Sequence, residues 1–261
     1  MDAPKFTQDN LLFTVHTPLG KDKLLFKQLQ GEEQLAGLFH FQLELLSESC
    51  NIDFQVILGQ PLTIQIQFAP DHTRYLNGIV TRFAQADTDS RFTTYYADIR
   101  PWLWQLTLTQ NCRIFQNLSV PDIIKQVFTD LGFHDYRFSL VRPNYYEPRV
   151  YCVQYQETAF NLVSRLMEEV GIFYFFEHHE DRHVLVLIDD LGGHPDCPGM
   201  STARFWQNNN TTHPEDVVTH CQWQQQLTTG RYAIDDFNFE TPHADLQSSV
   251  DALPEQKSTN L

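Results

Sequence analysis

The stretch from Tyr151 to Asp190 constrains the fold most, because its hydrophobic period changes partway along. From about Glu157 to Val170, apolar residues fall at Phe160, Val163, Leu166, Met167 and Val170, the spacing of one helical face. Arg165 stands three and four residues before Glu168 and Glu169, which predicts ion-pair support along the helix surface. Gly171 is a natural stop. Two short apolar runs follow, Ile172–Phe176 and Val184–Ile188, joined across His178 to Arg182. A helix followed by a strand hairpin is the expectation.

That hairpin contains a literal His-Glu-x-x-His, at His179, Glu180 and His183. In a zinc peptidase this motif lies on a helix, where residues four apart share a face and hold one metal while the glutamate activates water. Here two strand-like runs flank it, and a turn does not hold two histidines at helical spacing. The sequence therefore reads as a hairpin turn. The alternative, a zinc hydrolase using His179, Glu180 and His183, predicts stoichiometric zinc and loss of activity in His183→Ala.

Residues 10–105 read mostly as strand. Phe39, Phe41, Leu43 and Leu45 alternate with polar positions, as do Leu62, Ile64, Ile66 and Phe68. Asn77-Gly78 has the composition of a hairpin turn, and Thr94–Ile99 is a further strand. Short strands at this spacing suggest an antiparallel barrel or sandwich. From Ser119 to Leu131 the period becomes helical through Val120, Ile123, Ile124, Val127, Phe128 and Leu131, with Ser119 as cap, Pro121 in the first turn and Gly132 beyond the end. Residues 189–215 read as loop or linker. Val217–Gln226 and Asp236–Thr241 read as strands, and His243–Leu261 as a loose tail. The class is α+β, dominated by β-structure.

The formal charge of −15 is spread along the chain without a basic cluster, which argues against nucleic acid or anionic membrane as partner. No apolar run approaches the length of a membrane span, so stable membrane insertion is not expected, and the first residues lack a signal-peptide pattern. The five cysteines form no Cys-x-x-Cys; Cys50, Cys112 and Cys152 are expected to be buried thiols. The pairs Asp189-Asp190 and Asp235-Asp236 read as solvated loops rather than the two carboxylates of a glycosidase. No nucleophile elbow or phosphate loop occurs. The aromatics Tyr145, Tyr146, Tyr151, Tyr155, Phe173, Tyr174, Phe175 and Phe176 lack interleaved basic residues and read as core and subunit-interface packing. No catalytic, cofactor-binding or metal residue is assigned.

Several of these residues carry a resemblance. Tyr151-x-Val153-Gln154-Tyr155-x-Glu157-Thr158-x-Phe160, then Ser164–Glu169, Gly171-Ile172 and Tyr174-Phe175-Phe176, resemble the signature of VgrG proteins. These are the spike proteins of type VI secretion systems, related to the baseplate hub of contractile phage tails. Arg74 with Asn77–Val80, Leu106 with Asn111 and Arg113–Gln116, and Asp235-x-Phe237-x-Phe239-Glu240-x-Pro242 are similar to further family segments in the same order. The resemblance implies phage-tail-hub-like β-barrel tube domains with an intervening α/β domain: residues 1–105 as the first tube domain, 106–200 as the α/β domain, 201–215 as linker and 216–261 as the start of a second tube domain. It also implies a homotrimer of pseudo-sixfold symmetry joining the Hcp tube to the spike, with baseplate proteins and effectors or adaptors as further partners. The protein would be cytoplasmic before firing and then ejected by the machine without a signal peptide. The given sequence stops before the rest of the second barrel, the OB-fold and the needle of the family, which is expected of either a fragment or a shortened relative. The hub of a contractile phage is the alternative within the same fold. No enzyme activity and no cofactor are implied.

Overall fold

The computed structural model describes residues 6–69, 72–193, 202–206, 217–223 and 229–251. The chain divides into two compact units, Met1–Pro195 and Asp196–Leu261.

The first unit begins with a six-stranded antiparallel sheet. Its strands are β1 (Phe13–His16), β2 (Leu25–Glu32), β3 (His40–Ser47), β4 (Pro61–Ala69), β5 (His72–Thr88) and β6 (Thr93–Arg100), in the spatial order β1-β4-β5-β6-β3-β2. Alternation turns Phe41, Leu43 and Leu45 inward from β3, Leu62, Ile64 and Ile66 from β4, and Tyr95, Ala97 and Ile99 from β6. These side chains form one buried cluster, each contributing roughly 1.5–3 kcal/mol where a large apolar group is fully enclosed. The sheet curls until its two edges meet, with Phe13 of β1 stacked on Phe26 of β2 at 5.0 Å between ring centroids.

Asn77-Gly78 corrects the sequence reading. The pair lies inside β5, opposite Thr63 and Leu62 of β4, and makes no turn. A Cβ at Gly78 would lie 2.6 Å from Ile99 Cγ2 and 2.9 Å from the Arg100 carbonyl, so the glycine serves close backbone approach. Asn77 is buried and its side chain is used in the joint described below.

A second buried cluster begins at Trp102. It collects the 3-10 segment Trp102–Leu108, the helices α1 (Val120–Asp130) and α2 (Ala159–Val170), and one face of the hairpin β10 (Phe173–His178) and β11 (His183–Ile188). Between them lie β7 (Gln110–Leu118), β8 (Tyr136–Ser139) and β9 (Arg149–Thr158). β8 runs parallel to β11, while β7 and β9 form a separate antiparallel ribbon. The ribbon strand β7 and the short β8 are not apparent from sequence periodicity.

The helix ends follow local chemistry. Ser119 caps α1, its Oγ accepting from the Asp122 amide. α2 begins at Ala159, two residues later than the periodicity suggests, because Thr158 caps it by accepting from the Asn161 amide at 3.0 Å while Glu157 still belongs to β9. Gly171 ends it in the left-handed region, at φ 74°. Arg165 does not pair with Glu168 or Glu169. It reaches back toward the helix N-terminus, bonding Glu157 through Nη2 at 2.7 Å and the Val153 carbonyl at 2.8 Å.

In the second unit, β12 (Arg204–Phe205) pairs with β13 (Val217–Val218), and β14 (Arg231–Ile234) with β15 (Ser248–Asp251). Strand character thus ends at Val218, and residues 224–228 lie outside the described set. Asp236–Thr241 is not a strand; β14 lies just before it. Residues 248–251 are ordered by pairing with β14 rather than loose, because backbone hydrogen bonding outweighs their polar composition.

Candidate functional site

The His-Glu-x-x-His residues sit where the curled sheet meets the α/β layer. His178 and His183 close the β10–β11 hairpin as a directly opposed pair, and the His179 amide donates to the Arg182 carbonyl across the turn. The motif is therefore strand–turn–strand. His179 is exposed and lies on the turn, whereas His183 points inward and is almost fully buried.

His183 is held by a directed chain of hydrogen bonds. The Trp102 amide donates to its Nε2 at 2.8 Å, so the ring proton resides on Nδ1 and is given to Asn77 Oδ1 at 2.9 Å. Asn77 Nδ2 donates to Thr63 Oγ1 at 2.8 Å, and the Thr63 hydroxyl donates to the Glu180 carbonyl at 2.8 Å. Both ring nitrogens are spent, and neither offers a lone pair to a metal. Burial, with a further contribution from nearby His178, pushes the His183 pKa down to about 3, so the ring is neutral near pH 7.

His178 adds an outer rung. Its Nδ1 faces the Asn77 backbone, 3.0 Å from N and 2.9 Å from O, and its Nε2 lies 3.1 Å from Glu33 Oε1. The His178 hydrogen bond, outweighing desolvation and helped by the charges of His178 and Arg74, holds the Glu33 carboxyl below its ordinary range. Phe39 seals the joint, packing edge-on against Phe176 at 5.0 Å and against His183 at 5.5 Å. The Ala36 amide donates to the Tyr174 carbonyl beside it. Two strands of the curled sheet, the segment after β2 and the hairpin are thereby tied at one point.

A second region differs in kind. On the β7–β9 ribbon, Phe115, Cys152 and Gln154 turn inward. Ile114 lies opposite Val153, and Gln116 opposite Tyr151, on the outward face. Tyr151 and Tyr155 are 66% and 70% exposed and Ile114 is 66% exposed, so this face is apolar, aromatic and open. Of the aromatics read as packing residues, Tyr174 is buried in the core, whereas Tyr145, Tyr151 and Tyr155 are not.

Other expectations need correction. Cys50 and Cys112 are exposed; only Cys152 among the expected buried thiols is enclosed. Cys50 lies in the bend after β3, and Cys112 lies at an irregularity in the β7–β9 register, places where alternation does not carry a side chain inward. Cys197 lies outside the described residues. Asp189 is buried rather than solvated: its carboxylate accepts from the Val141 amide at 2.7 Å, the Arg142 amide at 3.2 Å and the Tyr146 hydroxyl at 2.9 Å. Burial alone would raise its pKa, but those donors outweigh it and the pKa is lowered. The same contact, after desolvation, pushes the Tyr146 hydroxyl up. Asp235 and Asp236 are exposed and accept from the amides of Asp236 and Phe237. No cluster of three or more His, Cys, Asp or Glu side chains suited to a metal occurs among the described residues. No helix among the described residues is long and apolar enough to cross a membrane.

The phage tail baseplate hub (GPD) family matches residues 32–260. The type VI secretion system spike protein VgrG1a of Pseudomonas aeruginosa is 40% identical over 236 residues, which cover 90% of this chain and 36% of that protein. VgrG1c of the same organism is 39% identical, covering 93% of this chain and 33% of its own length. The chain thus spans about a third of the curated relatives it matches. Among solved structures, the E. coli c3393 protein superposes with a TM-score of 0.59 at 25% identity, covering 70% of this chain and 52% of that one. It is described as a component of the type VI secretion system with structural similarity to the T4 bacteriophage tail proteins gp27 and gp5. A tail protein from Neisseria meningitidis shares the fold, with a TM-score of 0.53 over 92% of this chain and 67% of that one, at 10% identity.

Proposed function

Because the chain belongs to the phage tail baseplate hub (GPD) family, we propose that it is the hub portion of a type VI secretion spike. The carrying observation is the identity of about 40% to VgrG spike proteins across nine-tenths of the chain. A phage tail hub is the alternative within the same family; the identity to secretion spike proteins favours the secretion reading.

On this proposal three copies form a pseudo-sixfold ring that accepts the Hcp tube on one side and the spike on the other. Residues 1–105 are the first tube domain, 106–200 the intervening α/β domain, 201–215 the linker and 216–261 the start of the second tube domain. Sheath contraction ejects the assembly with its effectors or adaptors, and the protein is cytoplasmic until then. Its work is to transmit force, not to catalyse. Two features support this. The joint at Asn77 and His183 couples sheet to α/β layer through side chains that are all satisfied, which suits load bearing. The open aromatic face of the ribbon has the composition of a subunit interface, rich in tyrosine and poor in charge.

Light scattering of the purified chain, with and without the tube protein, tests the reading. A mass of three subunits that binds tube hexamers is the expected result. A monomer that ignores the tube protein yet carries stoichiometric zinc would overturn it.

A further inference from the structure

The two edges of the curled sheet are not joined by a backbone ladder. β1 ladders with β4 and β2 with β3, and between β1 and β2 lies the side chain of Gln8. Its carboxamide treats Val15 as a paired strand residue would: the Val15 amide donates to Oε1 at 2.9 Å, and Nε2 donates to the Val15 carbonyl at 3.1 Å. The same Oε1 accepts from the Phe26 amide on the opposite edge at 3.3 Å. One buried amide thus satisfies backbone groups of both edge strands.

The segment around Gln8 is fastened along its length. Phe6 packs edge-on against Phe92 at 4.8 Å, with the Arg91 guanidinium 5.6 Å from the ring centroid. The Gln8 amide donates to Asp22 Oδ1 at 3.0 Å, and Asp22 is itself buried with a positive φ of 59°. The Leu11 amide turns back to the Gln8 carbonyl, and the Leu12 carbonyl accepts from the Gln67 amide at 2.8 Å.

We infer that residues 6–12 are a strap that closes the sheet into a barrel through the Gln8 carboxamide, so that releasing this one residue opens the seam between β1 and β2 while the other ladders stay intact. A glutamine side chain can do this because it carries the donor and acceptor of a peptide group. The strap also covers two strand edges that would otherwise be available for pairing with another chain.

Native-state hydrogen exchange on the whole chain tests the strap. In Gln8→Ala, and equally in Gln8→Met, which keeps the volume but not the amide, the Val15 and Phe26 amides should exchange about 10- to 100-fold faster. The Ala97 and Ile99 amides of β6 should keep their protection. Unchanged protection of Val15 and Phe26 in Gln8→Met would overturn the inference, because Gln8 would then act by volume alone. Equal acceleration across the whole sheet would overturn it too. If neither variant folds, the parent chain decides: Val15 and Phe26 should exchange together, through an opening cheaper than global unfolding, and exchange only with the whole sheet would refute the seam.

Discussion

The joint at His183 and the outer face of the β7–β9 ribbon invert the usual placement of polar and apolar groups. In the joint, polar side chains are buried, and each donor in the chain from Trp102 through His183, Asn77 and Thr63 to Glu180 meets an acceptor. On the ribbon, tyrosine, valine and isoleucine face outward. The first region is complete within this chain. The second leaves apolar surface exposed in the single chain. A buried polar network specifies one arrangement because any shift leaves a group unpaired; an exposed apolar face tolerates change in the single chain and becomes specific only in contact.

The largest expected effect comes from breaking the joint. Asn77→Leu removes an acceptor for His183 and a donor to Thr63 inside a close-packed site, and should cost about 3 kcal/mol in urea unfolding. A cost below about 1 kcal/mol would mean the network is incidental.

Acid should loosen the same region next. The unfolded chain protonates His183 near its ordinary value, whereas the fold resists until about pH 3. Between those limits the unfolded state binds more protons, so stability falls as pH falls, by up to about 1.4 kcal/mol per pH unit. Asp189 and Glu33, both lowered in the fold, add a loss in the same direction at more acid pH. Unfolding midpoints from pH 7 to pH 5 measure the slope, and His183→Gln should flatten it over that range, where those carboxylates remain ionised.

On the ribbon the expectation reverses. Tyr151→Ser and Tyr155→Ser should move stability by less than about 0.5 kcal/mol. They should nevertheless weaken self-association in sedimentation velocity. If they destabilise the monomer as strongly as Asn77→Leu, the ribbon face is part of the core and the contrast fails.

The smallest effect sharpens the point about surfaces. Glu169 pairs with Arg149 at 2.7 Å but is largely exposed, so Glu169→Gln should cost no more than about 0.5 kcal/mol in thermal unfolding.

Much of the fold is legible in the residues. Ser119 and Gly171 mark helix ends because capping is local chemistry within a few positions, and Phe41, Leu43 and Leu45 mark a strand face because side chains alternate. The strand–turn–strand setting of His179 and Glu180 is legible for the same reason. Asn77-Gly78 misleads, because turn chemistry and a buried bridging asparagine beside a close backbone approach have the same composition. Asp189 misleads because its donors, Val141, Arg142 and Tyr146, lie more than forty positions away in sequence.

The sequence by itself determined the α+β class, the two amphipathic helices, most strands of the curled sheet and, through its resemblance, the family. These depend on periods and caps that extend over a few residues. Only the tertiary structure decided that Asn77 serves His183 across 106 positions, that Gln8 stands in for a strand, and that one face of the ribbon remains open. Those facts depend on which distant backbone groups meet in space, and neither local propensity nor periodicity encodes such a meeting.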